Sequence, residues 1–222
     1  MLSPGDCSPV MVVLAHPRTG SLCHRLARRA VESIKETGAE ATLHDLYAEG
    51  FDPVLLPEEA WQANLDSALL TDDDRGVPRD GGIDPMVSRH RWELERSRAL
   101  VVVHPDWWGK PPAILSGWLD RVLVPVWGSH DSGDPRTGPE AEQRTDAEGL
   151  RRVLVINTAG ERAVDGADPL GLTWREGVGR RLPTTELERL SLRGGADVTS
   201  DQVDRWLIAT GRAARWVAGA PR

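Results

Sequence analysis

The 222 residues carry a formal net charge of −7 and are 40% hydrophobic, which suits one α/β domain with a substantial core and long loops. An acidic chain of pI near 5.4 lacks the basic face of a general nucleic-acid or anionic-membrane binder. No apolar run approaches the ~20 residues of a membrane span, and Cys7 and Cys23 form neither a disulfide framework nor a zinc pattern.

Residues 1–9 read as a disordered lead-in without signal-peptide character, so a cytoplasmic protein is expected. Val10 to Ala15 is a short apolar run and the first buried strand. His16-Pro-Arg-Thr-Gly-Ser21 follows as a loop. Ser21 is a good N-cap for a helix to about Thr37, with Leu22, Leu26, Ala30, Val31 and Ile34 inward and Gly38 as its stop. Ala41 to Leu46 alternates and reads as a second strand. A loop over 47–57 leads to a helix over 58–70, then to an acidic, Gly-rich loop over 71–84. Pro85 to Arg98 is a helix.

Leu100 to Val103 is fully apolar and β-branched, the signature of a strand buried on both faces, and Pro105 stops it. A loop holding Asp106, Trp107, Trp108 and Gly109 follows. Pro111 and Pro112 can open a helix, on which Ile114, Leu115, Trp118, Leu119 and Val122 recur at helical spacing. The polar run 128–149 (129–149 taken as the mobile part) is a loop, either disordered or a lid. Arg152 to Asn157 is the fourth strand, 163–171 a loop, 172–182 a helix and Glu186 to Leu192 the last strand. Thr199 and Gln202 form a capping box for a helix over 200–217, with Val203, Leu207, Thr210, Ala214 and Val217 on one face.

Five strands with helices between them give a single doubly wound α/β domain over residues 1–222. Right-handed crossovers and two-sided burial favour the flavodoxin-like parallel order 2-1-3-4-5. Ligands bind at the carboxyl edge of such a sheet. Three loops then converge there: His16 to Cys23, Pro105 to Lys110, and Asn157 to Glu161. Arg25, Arg28 and Arg29 read as the solvated side of the first helix, His104 as a buried structural histidine, and His44, His90 and His130 as surface or capping residues.

Four stretches resemble the NAD(P)H:quinone oxidoreductase branch of the flavodoxin-like flavoproteins. They are His16-Pro…Ser21, Asp45-Leu-Tyr-Ala-Glu-Gly-Phe-Asp-Pro53, Asn157-Thr-Ala-Gly160 and, most specifically, Pro105-x-Trp-Trp-Gly-x-x-Pro-Ala-Ile-Leu-x-Gly-Trp-x-Asp-Arg121. The resemblance spans Val10 to Trp216. It implies a homodimer with one flavin per subunit, FAD or FMN with FAD favoured. It also implies ping-pong hydride transfer from NAD(P)H through flavin N5 to a quinone or related aromatic acceptor. The dimer face would include the exposed side of the Pro112 helix; Trp61, Trp92, Trp118 and Trp127 serve either that face or the core.

The resemblance also assigns roles. His16, Arg18, Thr19, Ser21, Leu22 and Cys23 would surround the flavin phosphates at a helix N-terminus. Cys23 is either a low-pKa thiol or, preferably, a small packing residue. Pro105, Asp106, Trp107, Trp108 and Gly109 would lie against the isoalloxazine, the two Trp as its wall. Asn157, Thr158, Ala159, Gly160 and Glu161 would meet the pyrimidine edge. Without ligand, the same residues make a Ser-capped turn, core-filling Trp and a plain strand-to-helix turn.

Asp106 departs from the family, where an apolar residue is usual. It either lowers the flavin potential or merely caps its turn. The Tyr and His that some members carry beyond Gly160 are absent, and Ser116 stands where Lys is common. No catalytic residue is therefore named and no metal is expected. Two competing readings are a flavin-binding ancillary subunit of the potassium-efflux type and a biosynthetic member with a repurposed pocket.

Overall fold

The computed structural model describes residues 9–56, 59, 84–123, 150–160, 168–182, 184–194 and 198–220. In chain order the elements are β1 (Val10–Leu14), α1 (Leu22–Lys35), β2 (Ala41–Asp45), α2 (Pro85–Arg96), β3 (Ala99–Pro105), α3 (Ala113–Trp118), β4 (Arg152–Ala159), α4 (Pro169–Leu172), β5 (Glu186–Arg193) and α5 (Ser200–Val217). A π turn, Leu119–Leu123, extends α3, and a π turn and a 3₁₀ turn extend α4 to Arg181. The helix expected over 58–70 and the loops expected over 71–84 and 128–149 fall outside the described residues, Glu59 and Asp84 apart.

The strands pair in parallel in the order β2-β1-β3-β4-β5, as expected. Alternation along each strand divides the core between two faces. Met11, Val13, Leu100, Val102, Val153 and Val155 pack with α2, α3 and α4. Val10, Val12, Leu14, Val101, Val103, Leu154 and Ile156 pack with α1 and α5. β1 and β3 are buried along their whole length, which is why they read as unbroken apolar runs.

Several boundaries move. Pro105 is the last residue of β3, not a stop before it, because its partner Thr158 lies in β4 and the ladder needs no N–H from Pro105 there. β4 continues through Thr158 and Ala159, two residues beyond its expected end at Asn157. The helical segment before β5 begins at Pro169, three residues early, because Asp168 caps it by accepting from Gly171 N–H. Pro112 is the N-cap of α3.

On α1 the buried residues are Cys23, Leu26, Ala27, Ala30, Ser33 and Ile34, whereas Leu22 and Val31 are half-buried. On α5 the buried set contains Trp206, Gly211 and Trp216 in place of Val203 and Leu207. The Thr199 hydroxyl caps Gln202 N–H as expected, but the Gln202 carboxamide turns to Arg205.

β2 overturns its pattern. Leu43 is exposed and His44 is the one buried residue of the five. At a sheet edge the polar ring goes inward because it finds partners there: Glu49 and Glu93. His90 is likewise buried, so neither histidine is a surface residue. Trp118 fills the core rather than an interface, and its indole N–H donates to His90 Nδ1 at 3.1 Å. Trp92 is exposed beneath the Arg96 guanidinium; Cys7, Trp61, Trp127 and His130 lie outside the described residues.

A buried ion pair fastens the segment after β2. Arg121 and Glu59 are each 1% exposed. The guanidinium donates from Nε and Nη2 to the two carboxylate oxygens, at 2.7 and 3.0 Å, and from Nη1 to the Asp52 carbonyl. Removing one partner strands a buried charge. Arg121→Met should therefore cost about 3–5 kcal/mol of stability, and the added change Glu59→Leu should recover most of it. Urea unfolding of the two variants checks this.

Candidate cofactor and acceptor site

The three loops converge at the carboxyl edge, but not on one cavity. The first loop leaves β1 at Ala15. His16 Nδ1 accepts from Arg18 N–H at 3.1 Å. Burial holds the His16 imidazole below its ordinary pKa, so the ring is neutral, Nε2 carries the proton, and that N–H is a donor available to a ligand. Arg18 and Thr19 are exposed on the loop.

Ser21 is the N-cap of α1 and is turned inward. Its hydroxyl accepts from His24 N–H and lies 2.9 Å from His24 Nδ1. His24 Nε2 is in turn 3.0 Å from Asp45 at the end of β2. Cys23 is buried with its Sγ 3.4 Å from Thr158 Oγ1, and burial pushes the thiol up to about 11. It is no low-pKa thiol; it packs α1 against the end of β4.

The second loop is bound to itself. Asp106 N–H donates to the Thr158 carbonyl. Trp107 and Lys110 exchange both backbone hydrogen bonds, at 3.0 and 3.1 Å. The Asp106 carboxylate accepts from Gly109 N–H at 2.8 Å, so it does cap its turn, while the residue also lines a cavity. Gly109 has a φ of +74°, and a Cβ there would meet Pro169 at 3.0 Å.

Trp108 is the sole non-glycine described residue with positive φ, at +61°, and it is 95% exposed. Such a strained conformation is costly for a bulky residue unless surrounding bonds impose it. Among the described residues its N–H has no partner, so it is the loop's uncommitted backbone donor.

The third segment is the end of β4. Asn157 is fully buried; its amide N–H donates to Ser191 Oγ at 3.2 Å, and its Oδ1 has no partner. A buried acceptor left without a donor has hydrogen-bonding capacity to spare, as do Ser33 Oγ, Arg91 Nη2, Arg189 Nη1 and Thr210 Oγ1 elsewhere. Gly160 has open space beside it. His104, the register partner of Asn157 on β3, is the buried structural histidine expected. Its Nε2 accepts from Trp174 Nε1–H at 3.2 Å and its Nδ1 lies 2.8 Å from the Pro105 carbonyl.

These segments border an open cavity of about 390 Å³ lined by His16, Leu22, Pro105, Asp106, Trp107, Thr158, Ala159 and Gly160, with Leu192 of β5, Trp206 of α5, and Gly194 and Val198 from the connection between them on its other side. The last four were not anticipated. The rule that ligands sit at the carboxyl edge, applied to β5 as well, would have found Leu192 and Gly194. Ser21, Cys23 and Asn157 are not in the lining of this cavity, and Glu161 lies outside the described residues.

Trp107 also borders a second, larger groove of about 940 Å³. Pro53, Val54, Leu55, Trp108, Pro112 and Val178 contribute to its predominantly apolar lining. Trp108 thus faces this groove and not the smaller cavity. The segment 53–55 is a wall that sequence reasoning did not foresee, because an irregular stretch has no periodicity from which its position could be read.

Residues 8–176 match a family model described as a flavodoxin-like fold. The chain is 30% identical over 123 residues to NAD(P)H dehydrogenase (quinone) 1 of Rattus norvegicus, an alignment covering 51% of this chain and 42% of that protein. It is 34% identical over 115 residues to the NAD(P)H oxidoreductase YcaK of Escherichia coli, covering 51% of each. The chain thus spans about half the length of these curated relatives. Among solved structures, an NAD(P)H:quinone oxidoreductase from Methanothermobacter marburgensis superposes with a TM-score of 0.71 at 21% identity, covering 97% of this chain and 99% of the other. An FMN-dependent NADH-azoreductase from Bacillus anthracis in complex with FMN gives 0.62 at 16% identity, covering 96% and 100%.

Two buried histidines make the fold acid-sensitive. Burial pushes His90 down to about 3 and His104 down to about 4, while in the unfolded chain both take a proton near 6.5. As pH falls below about 6.5 the unfolded state gains protons that the native state refuses. Stability is therefore full above that value and falls by up to about 1.4 kcal/mol per pH unit for each histidine until the folded pKa is reached. Urea midpoints measured between pH 7 and pH 5 should show this decline.

Proposed function

Since the chain belongs to the flavodoxin-like fold family, we propose that it is a flavin-dependent oxidoreductase carrying electrons from NAD(P)H to quinones or related aromatic acceptors. The observation that carries this reading is the orphaned Asn157 Oδ1, buried at the carboxyl edge next in the chain to Thr158, which lines a cavity holding no charge except Asp106. An acceptor so placed suits the imide N–H of a flavin ring. The His16 Nε2–H donor, in the lining of that cavity, suits its anionic and carbonyl oxygens.

Bound flavin would supply the two-electron chemistry between nicotinamide and acceptor. The chain's own residues bind and orient. His16 and the first turn of α1 would hold phosphate, with Arg18 adding charge from the loop. Trp107 separates the cofactor cavity from the groove and borders both. A flat apolar acceptor fits that groove beside Trp108, and shape rather than an acid group would position it. FMN-bound and quinone-named relatives on one fold support the flavin and the acceptor class. A second copy of the chain would cover the exposed Trp108, Val54 and Leu172 as a homodimer. No described helix is long and apolar enough to cross a membrane.

Purified protein should be yellow or take up FMN or FAD, and should oxidise NADPH or NADH with menadione. Absence of flavin uptake sinks the proposal. Asn157→Ala should weaken flavin binding by about tenfold, the loss of one buried hydrogen bond, read by fluorescence titration. Asp106→Asn keeps the acceptor for Gly109 N–H but removes the negative charge. The bound flavin's midpoint potential should then rise, and an unchanged potential would show that Asp106 is only a cap.

A further inference from the structure

A cluster of two buried histidines and two carboxylates lies away from the cofactor cavity, between β2, the turn after it, α2 and α3. His44 Nδ1 is 3.0 Å from Glu49 Oε1, and His44 Nε2 is 2.6 Å from Glu93 Oε2. His90 Nε2 is 3.0 Å from the other Glu49 oxygen. The carboxylate of Glu49 is thus held by two histidines, one on each oxygen. Arg89 adds a positive charge, 3.5 Å from Glu49 and 4.0 Å from Glu93.

The ligand atoms of His44, Glu49 and His90 lie within 4.8 Å of one another, which is also the make-up of a divalent-cation site. Two observations oppose a metal. Trp118 Nε1–H donates to His90 Nδ1, and an indole can only donate. His90 Nδ1 is therefore bare, and Nε2 carries the proton that it gives to Glu49. A metal on Nε2 would drive that proton to Nδ1, donor against donor. The Arg89 guanidinium also lies within ion-pairing distance of the carboxylate oxygen that a cation would need. The hydrogen-bond pattern calls for protons, not an ion.

What the cluster holds is the chain that follows it. Phe51 stacks on His90, with centroids 5.7 Å apart and planes 13° apart, and Phe51 N–H donates back to Leu46 O. The chain then runs through Asp52, whose carbonyl accepts from Arg121, into Pro53, Val54 and Leu55 of the groove wall. Pro53 packs so closely on Gly117 of α3 that no Cβ fits between them. This wall has no strand or helix of its own. Its position depends on the Glu49–His90 clasp before it and the Arg121 anchor within it.

We infer that Glu49 and His90 are positioning residues that set the width of the acceptor groove, and so select acceptors by size without touching them. The inference rests on the reading of the groove as the acceptor site. His90→Leu removes the acceptor of Trp118 and the donor to Glu49. Glu49→Gln keeps the shape and removes the charge. His90→Gln restores both bonds, since a carboxamide accepts and donates.

In the first two variants, amide hydrogen exchange over residues 46–56 should quicken. KM for a bulky naphthoquinone should rise about tenfold, equivalent to about 1.4 kcal/mol, while kcat and the KM for a small benzoquinone hold. His90→Gln should behave as the parent. If His90→Leu does not fold, Glu49→Gln decides. Unchanged exchange and KM in folded Glu49→Gln would overturn the inference. So would stoichiometric Co²⁺ binding by the parent that is lost in His90→Leu, which would make the cluster a metal site. Should the parent reduce no quinone at all, the functional reading falls and the selecting role with it, and exchange alone still tells whether the clasp exists.

Discussion

β3 stays paired with β4 to its last residue, and the carboxyl edge depends on that. Pro105 stands opposite Thr158, and the next amide, that of Asp106, reaches across to the Thr158 carbonyl. The two loops that leave these strands therefore start from one fixed point. Asp106 then folds its carboxylate back on Gly109 N–H, and Trp107 pairs with Lys110. The chain is closed so tightly that Trp108 is driven to positive φ and out into solvent. A large aromatic placed this way is a consequence of the ladder beneath it.

The same closure divides the edge into two spaces. On one side lie polar backbone and the His16 imidazole; on the other lies an apolar groove. Trp107 borders both. Such an arrangement suits a reaction in which one partner stays bound and another comes and goes, since the resident group and the visitor need different surfaces. Below the edge, burial keeps two histidines neutral and indole donors fix their tautomers: Trp174 for His104 and Trp118 for His90. Both tautomers are set by a partner that cannot accept, so in each ring the other nitrogen carries the proton and faces an acceptor, Glu49 for His90 and the Pro105 carbonyl for His104. The chain's richness in Trp is thus partly a hydrogen-bonding device inside the core.

Much of this was legible in the residues. The apolar β-branched runs at 10–15 and 100–103 announced strands buried on both faces. Ser21 announced a cap, and the alternation of strand and helix left few topologies. The Pro105–Arg121 stretch marked the loop that became central. What failed was the edge strand. Leu43 looked inward-facing and His44 looked superficial because alternation reports hydrophobicity, and a histidine is buried for its partners, which lie at 49 and 93. Ser21 and Cys23 were rightly placed at a helix start, yet face inward, since a cap satisfies its own helix before any ligand.

The sequence by itself determined the strands, their parallel order and which loops meet at the edge, because burial on two faces and right-handed crossover are local rules written in apolar periodicity. Only the tertiary structure decided that the edge holds two spaces and that segment 53–55 walls one of them. It alone left Asn157 an acceptor without a donor, and gathered His44, Glu49, His90 and Glu93 around one another. Those features depend on contacts between residues far apart in the chain, and on which nitrogen of a ring carries a proton. No spacing along a sequence encodes either.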